Sequence, residues 1–216
     1  MASHVLSRLG ALAGVLSVVV TFVGFGVHGG LPSDTTPGAI RAYVGAVTPG
    51  QAGLGNFLEL LGYVLFLVFA AFLYALARAT TADRLDWLPV LGFVAATAYV
   101  AVSATLIGTQ LAIVDWAKAG GDPRSVAGMY ALDSAAFPLS FELAAVFLAA
   151  TGAALLRAGR WRLLAAASCA VGAIVLISGL IGSMSQTNNL AQVGFLIFVV
   201  WQLATGVYFL ARPPTV

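Results

Sequence analysis

Three carboxylates stand in stretches that would otherwise dissolve in hydrocarbon: Glu59 in "GNFLELLGY", and Asp133 and Glu142 in "ALDSAAFPLSFELAA". An ionised Asp at the centre of a membrane helix costs about 2.5 to 3.5 kcal/mol on insertion scales, so such groups are protonated, hydrogen-bonded to a neighbour, or kept for function. A buried acid with raised proton affinity donates a proton well, and a second carboxylate accepts one. Asp133 and Glu142 are nine positions apart, which at about 100° per residue points them to opposite faces of a straight helix. Pro138 stands between them. It cannot donate to the Ser134 carbonyl, so it is expected to bend the helix and change the relative direction of the two acids.

Other polar residues recur at helical spacing around these acids. Asn56, Glu59 and Tyr63 share one face, as do Tyr99, Ser103 and Gln110, and Gln202 and Thr205 add a third polar patch. Read as an enzyme, the chain would use Glu142, Asp133 and Glu59 as catalytic acids and bases. Its ligand-binding residues would be Tyr63, Tyr99, Gln110, Phe137, Phe141, Trp201 and Gln202, the aromatic rings suiting an apolar substrate or a carbocation. The plain alternative is that Gln110, Gln202 and Tyr99 join helices to one another and that the rings are packing. His28 reads as an interfacial residue, with His4 across the membrane from it, so no metal site is expected. Cys169 is the single cysteine, which excludes an internal disulfide. No cofactor is expected.

The elements that must hold these residues are membrane helices. The chain of 216 residues is 61% hydrophobic and 8% charged, far from the make-up of a soluble domain. A bilayer core needs about twenty apolar residues per helix, and six segments supply them: 9–27, 54–77, 87–114, 127–156, 161–183 and 192–211. The reading is all-α, a single polytopic bundle of six transmembrane helices. The apolar stretch after Arg8 exceeds that of a signal peptide and ends at "GVHGG" without a small-x-small cleavage site, so it is taken as the first span. Arg8, Arg78, Arg84, Arg157, Arg160, Arg162 and Arg212 fall on one side, and Arg41, Lys118 and Arg124 on the other. That bias places both termini in the cytoplasm. The net charge of +2 comes without a basic run, and no nucleic-acid partner is expected.

Local signals refine the loops. Thr36 and Pro37 open a short helix carrying Ile40, Tyr43, Val44 and Val47, expected to lie on the membrane surface. Thr48, Pro49 and Gln51 form a capping-box pattern for the second span, and Asp122, Pro123 and Ser125 read similarly for the fourth. Both of those helices begin well before their apolar runs. Gly10, Gly14, Ser17, Thr21 and Gly24, and likewise Ser168, Gly172, Gly179 and Ser183, are close-packing stripes. Their plainest reading is contact within the monomer. Trp87, Trp116, Trp161 and Tyr208 read as interfacial anchors, whereas Trp201 is deeper and a candidate for a pocket wall.

No phosphate loop, nucleophile elbow or HExxH zinc motif occurs in the sequence, nor a matching pair of broken helices of the kind secondary transporters carry. The blocks "RLGALAGVLSVVVTFVGF", "LGNFLELLGYVLFLVFAAFLYALAR" and "FELAAVFLAATGAALLRAGRWR" resemble the bacterial membrane family known as domain of unknown function 4386. The resemblance implies six helices in a bacterial inner membrane and transfers no activity or site residue. Binding or passage of a small amphiphile, ion or proton through an outward-facing polar pocket therefore stands first. Acid–base catalysis on a lipid-like or isoprenoid substrate, and an accessory role in a membrane complex, are the alternatives. The expected partners are the bilayer and a small apolar or amphiphilic ligand, and the oligomeric state is left open.

Overall fold

The computed structural model describes residues 2–30, 36–80, 86–121, 123–185 and 188–214. They form seven helices: α1 (Ala2–His28), α2 (Pro37–Ala46), α3 (Pro49–Thr80), α4 (Leu88–Lys118), α5 (Pro123–Arg157), α6 (Arg162–Ser185) and α7 (Asn188–Ala211). All but α2 are long and apolar enough to cross a membrane. Six such helices make this a multi-pass integral membrane protein. The chain runs up and down, each helix antiparallel to the next span. Thus Gly10 of α1 meets Phe72 of α3 while Gly24 meets Gly55, and Gly206 of α7 meets Ala11 of α1. Both termini consequently lie at one end of the bundle, and α2 lies at the other.

Apolar side chains gain little from one another in a lipid solvent, so close packing must hold the helices together. Small residues permit it. The α1 stripe predicted from sequence faces α3, with Gly14 against Phe69 and Thr21 against Gly62. On α6, Gly172 and Gly179 press on the backbone of α5 at Ala145 and Pro138. These stripes are used inside the monomer. The centre is aromatic, with Phe66, Phe69, Phe147 and Phe198 all almost fully buried. Long apolar side chains such as Leu6, Val200 and Leu163 point outward, as a hydrocarbon environment allows.

The caps follow the sequence where they are described. Gln51 Oε1 accepts from Thr48 N at 3.0 Å and Thr48 Oγ1 accepts from Gln51 N at 3.2 Å, closing a reciprocal capping box on α3. Thr36 Oγ1 accepts from Ala39 N at 3.3 Å at the start of α2. Asp122 and the side chains of Pro123, Arg124 and Ser125 lie outside the described residues, as do Arg84 and the side chain of His4. At about 1.5 Å per residue α3 and α5 are about 48 and 52 Å long, well beyond a bilayer core of about 30 Å. Helix α5 remains continuous through Pro138, and beside the proline the Ser140 hydroxyl donates to the Phe137 carbonyl at 2.7 Å.

Helix α2 departs from expectation. Its apolar residues Ile40 and Val44 are buried against Ile113, Val126 and Tyr130. It therefore caps the ends of α4 and α5 with the face that a surface helix would turn to lipid. Lys118 Nζ, donating to the Val47 carbonyl, ties the end of α4 to the turn between α2 and α3. At the opposite end, buried Asp86 receives Arg157 at 3.5 Å and the Leu88 amide at 3.1 Å, while Arg78 donates to its carbonyl. The expected interfacial anchors divide: Trp87 and Trp116 are exposed, whereas Trp161 packs edge-on against Phe209.

Candidate functional site

At the α2 end the last residue of α1 meets the third turn of α3. His28 and Glu59 are each 2% exposed, and His28 Nε2 bonds Glu59 Oε1. His28 Nδ1 lies on the Gly29 carbonyl. A carbonyl only accepts, so Nδ1 must carry a hydrogen. The Nε2 to Oε1 contact then holds one proton whichever group owns it, and the pair as a whole is neutral. Gly29, with φ of 65°, adopts the left-handed backbone that ends a helix and turns this carbonyl back. Two glycines make the approach possible. A Cβ on Gly24 would stand 2.7 Å from the Gly55 carbonyl and 2.8 Å from Glu59 Cγ, and one on Gly55 would stand 2.5 Å from His28 Cδ2.

Asp133 of α5 faces Gln110 of α4 at the same end. Both side chains are half-buried, yet Asp133 Oδ1 and Gln110 Oε1 are themselves fully enclosed and unpartnered, as is Asn56 Oδ1 on α3. Tyr43 of α2, whose hydroxyl donates to the Gly29 carbonyl at 3.5 Å, feels the two acids. Burial first, then the charges of Glu59 and Asp133, pushes its phenol above the usual pKa of 10.0. One turn inward from Glu59, Tyr63 gathers with Tyr99 and Ser103, their hydroxyls grouped between α3 and α4 and the tyrosine rings 5.8 Å apart edge-on.

Tyr63 and Tyr99 also line a narrow cleft between α1 and α7 with a cavity volume of about 20 Å³, together with Ser17, Thr21, Gln202 and the rings of Phe22, Phe66, Phe195 and Phe198. Gln202 anchors its amide nitrogen on the Gly14 carbonyl at 2.9 Å. Phe22, 42% exposed, stacks on Phe195 at 5.9 Å, so the mouth of the cleft faces the hydrocarbon. Below it the bundle is closed by rings: Phe66 packs on Phe147 at 5.5 Å and on Phe198 at 5.7 Å, with Trp201 stacked on Phe198 at 6.2 Å.

The residues singled out in the sequence are distributed over three places. Glu59, Tyr63, Tyr99 and Gln202 belong to the connected region just described. Asp133 and Gln110 sit beside it, under α2. Glu142 stands apart on the seam of α5 with α6, where its Oε1 accepts from the Ser183 hydroxyl at 3.0 Å and its Cγ lies against Gly179. Phe137 and Phe141 pack on each other at 4.9 Å. Trp201 is turned to α6, its indole nitrogen donating to Ser168 Oγ at 3.0 Å. The reading of His28 as interfacial missed its pairing with Glu59. A signal was present in the glycines four positions before each polar residue: in the antiparallel pair Gly24 lies opposite Glu59 and Gly55 opposite His28, so each glycine makes room for the polar side chain of the other helix. Ser17 and Thr21, taken only as packing residues, also face the cleft.

Compared with family models, with curated proteins and with solved structures, the chain matches none of them. Fold and site together define it as an integral membrane protein of six spanning helices with an enclosed ionisable pair.

Proposed function

We propose that this protein binds a small single-chain amphiphile drawn from the bilayer into the cleft between α1 and α7, and that the proton of the His28–Glu59 pair responds to the occupant. The observation that carries this reading is the position of Tyr63, which borders the cleft and lies one helical turn from Glu59. Apolar walls with a few convergent polar groups are the usual lining of a small-molecule site, and at about 20 Å³ this one has to widen between α1 and α7 to admit a chain. Here the hydroxyls of Ser17, Thr21 and Tyr63 and the Gln202 amide would take the polar end, and the phenylalanine rings the chain. Binding is favoured over passage because the rings of Phe66, Phe147 and Phe198 fill the path beyond the cleft. Two-carboxylate catalysis would need two acids at the cleft, and Glu59, Asp133 and Glu142 are not among its lining residues.

The test is photo-crosslinking in nanodiscs with a diazirine-bearing long-chain alcohol, mapped by mass spectrometry. Label is expected on the α1 and α7 seam. It should be lost in Val199→Phe, which fills the slot, and the competing concentration of unlabelled alcohol should rise about fivefold in Tyr63→Phe, the equivalent of about 1 kcal/mol for one hydrogen bond. Label spread evenly over the lipid-facing surface would refute the cleft as a site.

In orientation, we place the α2 end outside and both termini in the cytoplasm of a bacterial inner membrane. Arg8, Arg78, Arg157, Arg160, Arg162 and Arg212 gather at the end where the termini lie, against Arg41 and Lys118 at the α2 end. Reporter fusions at both termini should be active only for reporters that function in the cytoplasm. An external signal from either fusion would reverse this assignment.

A further inference from the structure

We infer that the turn between α5 and α6 binds the phosphate of an anionic phospholipid of the surrounding bilayer, with one acyl chain lying along α6. The site is at the opposite end of the bundle from the His28–Glu59 pair and on another helix from the cleft, so it stands whatever occupies the cleft. Residues 157–162 read "RAGRWR", three arginines within six positions. Gly159, with φ of 68°, closes α5, and Trp161, with φ of 47°, opens α6 from the left-handed region that a side chain rarely adopts. The two reversals keep the turn tight. Arg162 Nη2 lies 4.0 Å from where a Cβ on Gly159 would stand, and the Arg160 guanidinium lies 5.0 Å over the Trp161 ring. That ring is itself anchored edge-on to Phe209 of α7 at 5.6 Å. Two guanidiniums are thus carried by one short turn braced against the neighbouring span.

Neither guanidinium has a counter-charge. Among the described residues the ion pairs are His28–Glu59 and Arg157–Asp86, so Arg160 and Arg162 take part in none. The side chains of Asp83 and Arg84 lie outside the described residues, but their placement does not alter the balance: this end of the bundle carries seven arginines against two acids, Asp83 and Asp86. Such an excess calls for an anion, and guanidiniums suit phosphate oxygens, which they can grip with two N–H groups at once. The surface beneath the turn decides which phosphate. Arg162, Ala166, Ala170 and Ala173 follow one another at helical spacing and all are exposed, with Leu163, 87% exposed, at their head. Only beyond Ala173 do long side chains such as Ile174, Ile177 and Ile181 take over the outward face. The outer surface of α6 is therefore recessed for about 16 Å below Arg162, at about 1.5 Å per residue. An acyl chain fills such a recess in hydrocarbon, and a soluble phosphate does not. A zwitterionic lipid brings its own cation to the headgroup, so the net charge favours an anionic one.

The experiment measures thermal unfolding of the purified full chain in neutral detergent as phosphatidylglycerol, or phosphatidylcholine with the same acyl chains, is added. A saturable rise in melting temperature of several degrees is expected with phosphatidylglycerol alone, since a ligand that binds only the folded state stabilises it. The half-saturating lipid concentration should rise about fivefold in Arg160→Gln and in Arg162→Gln, the share of one arginine at an anionic lipid surface. It should rise also in Ala166→Leu, which fills the recess. Arg8→Gln, which removes an exposed arginine from α1 at the same end, should leave it unchanged. Native mass spectrometry of the unaltered protein with the two lipids in competition provides a second measurement should an arginine variant fail to fold, and one phosphatidylglycerol should be retained in preference. An equal response to both lipids, an equal response to glycerol phosphate, a full response when Arg160→Gln and Arg162→Gln are combined, or an equal loss in Arg8→Gln would each overturn the inference. So would mass spectra in which Ala166→Leu converts a dimer to a monomer, since the face would then belong to a second copy of the chain.

Discussion

Glu59→Leu should destabilise the folded protein by about 3 to 5 kcal/mol, the usual consequence of removing one partner from a buried charge pair. The reason is geometric. His28 is enclosed between α1 and α3 with its Nδ1 hydrogen committed to the Gly29 carbonyl, and its Nε2 loses the partner it holds when the Glu59 carboxylate is gone. His28→Leu should cost a comparable amount by leaving Glu59 alone at 2% exposure. The double variant should recover most of the loss, because two apolar side chains of similar volume leave no unpaired polar group. Reversible unfolding of the four proteins in detergent gives the coupling directly. If the two single losses simply added in the double variant, the pair would not be a unit, and the neutral one-proton arrangement would be wrong.

Gly24→Leu is the second large expected effect. The first atom of any side chain there meets the Gly55 carbonyl oxygen at 2.7 Å and the Glu59 amide nitrogen at 2.9 Å. Both are backbone and cannot rotate away, so α1 and α3 must separate. Overpacking a rigid contact costs about 1 to 3 kcal/mol or more, and here separation also pulls apart His28 and Glu59. Gly26→Leu is the matched control. It lies two residues further along the same helix, where a Cβ meets nothing within 4 Å. The melting temperature of Gly24→Leu should fall sharply while Gly26→Leu stays near the parent. Equal behaviour of the two would mean that the seam of α1 with α3 is not held by backbone proximity.

The six spans and the antiparallel path were written in the sequence because a bilayer reads composition and length alone. The segments 9–27 to 192–211 are apolar for about twenty residues, and any chain with such segments must hydrogen-bond its backbone within helices. The capping box at Thr48 and Gln51 was legible for an equally local reason, since its partners are three residues apart. So was the tight packing along Gly10, Gly14 and Gly24. The face of α2 was not: the same Ile40 and Val44 serve a lipid surface or a bundle end equally well, and only the position of Ile113, Val126 and Tyr130 decided it.

The polar residues show the same division. Sequence spacing put Asn56, Glu59 and Tyr63 on one face of a helix because the period of a helix is fixed. What each would touch depended on which helix lay opposite. Tertiary structure gave Glu59 to His28, Asp133 to Gln110, and Glu142 to Ser183, separating three acids that looked alike in the chain. Partners 31 and 41 residues apart leave no mark in local periodicity. A carboxylate in lipid must find a partner, and the sequence says that much by itself. Which partner it finds follows from the seams on which small residues let two helices meet, and that is a property of the folded bundle alone.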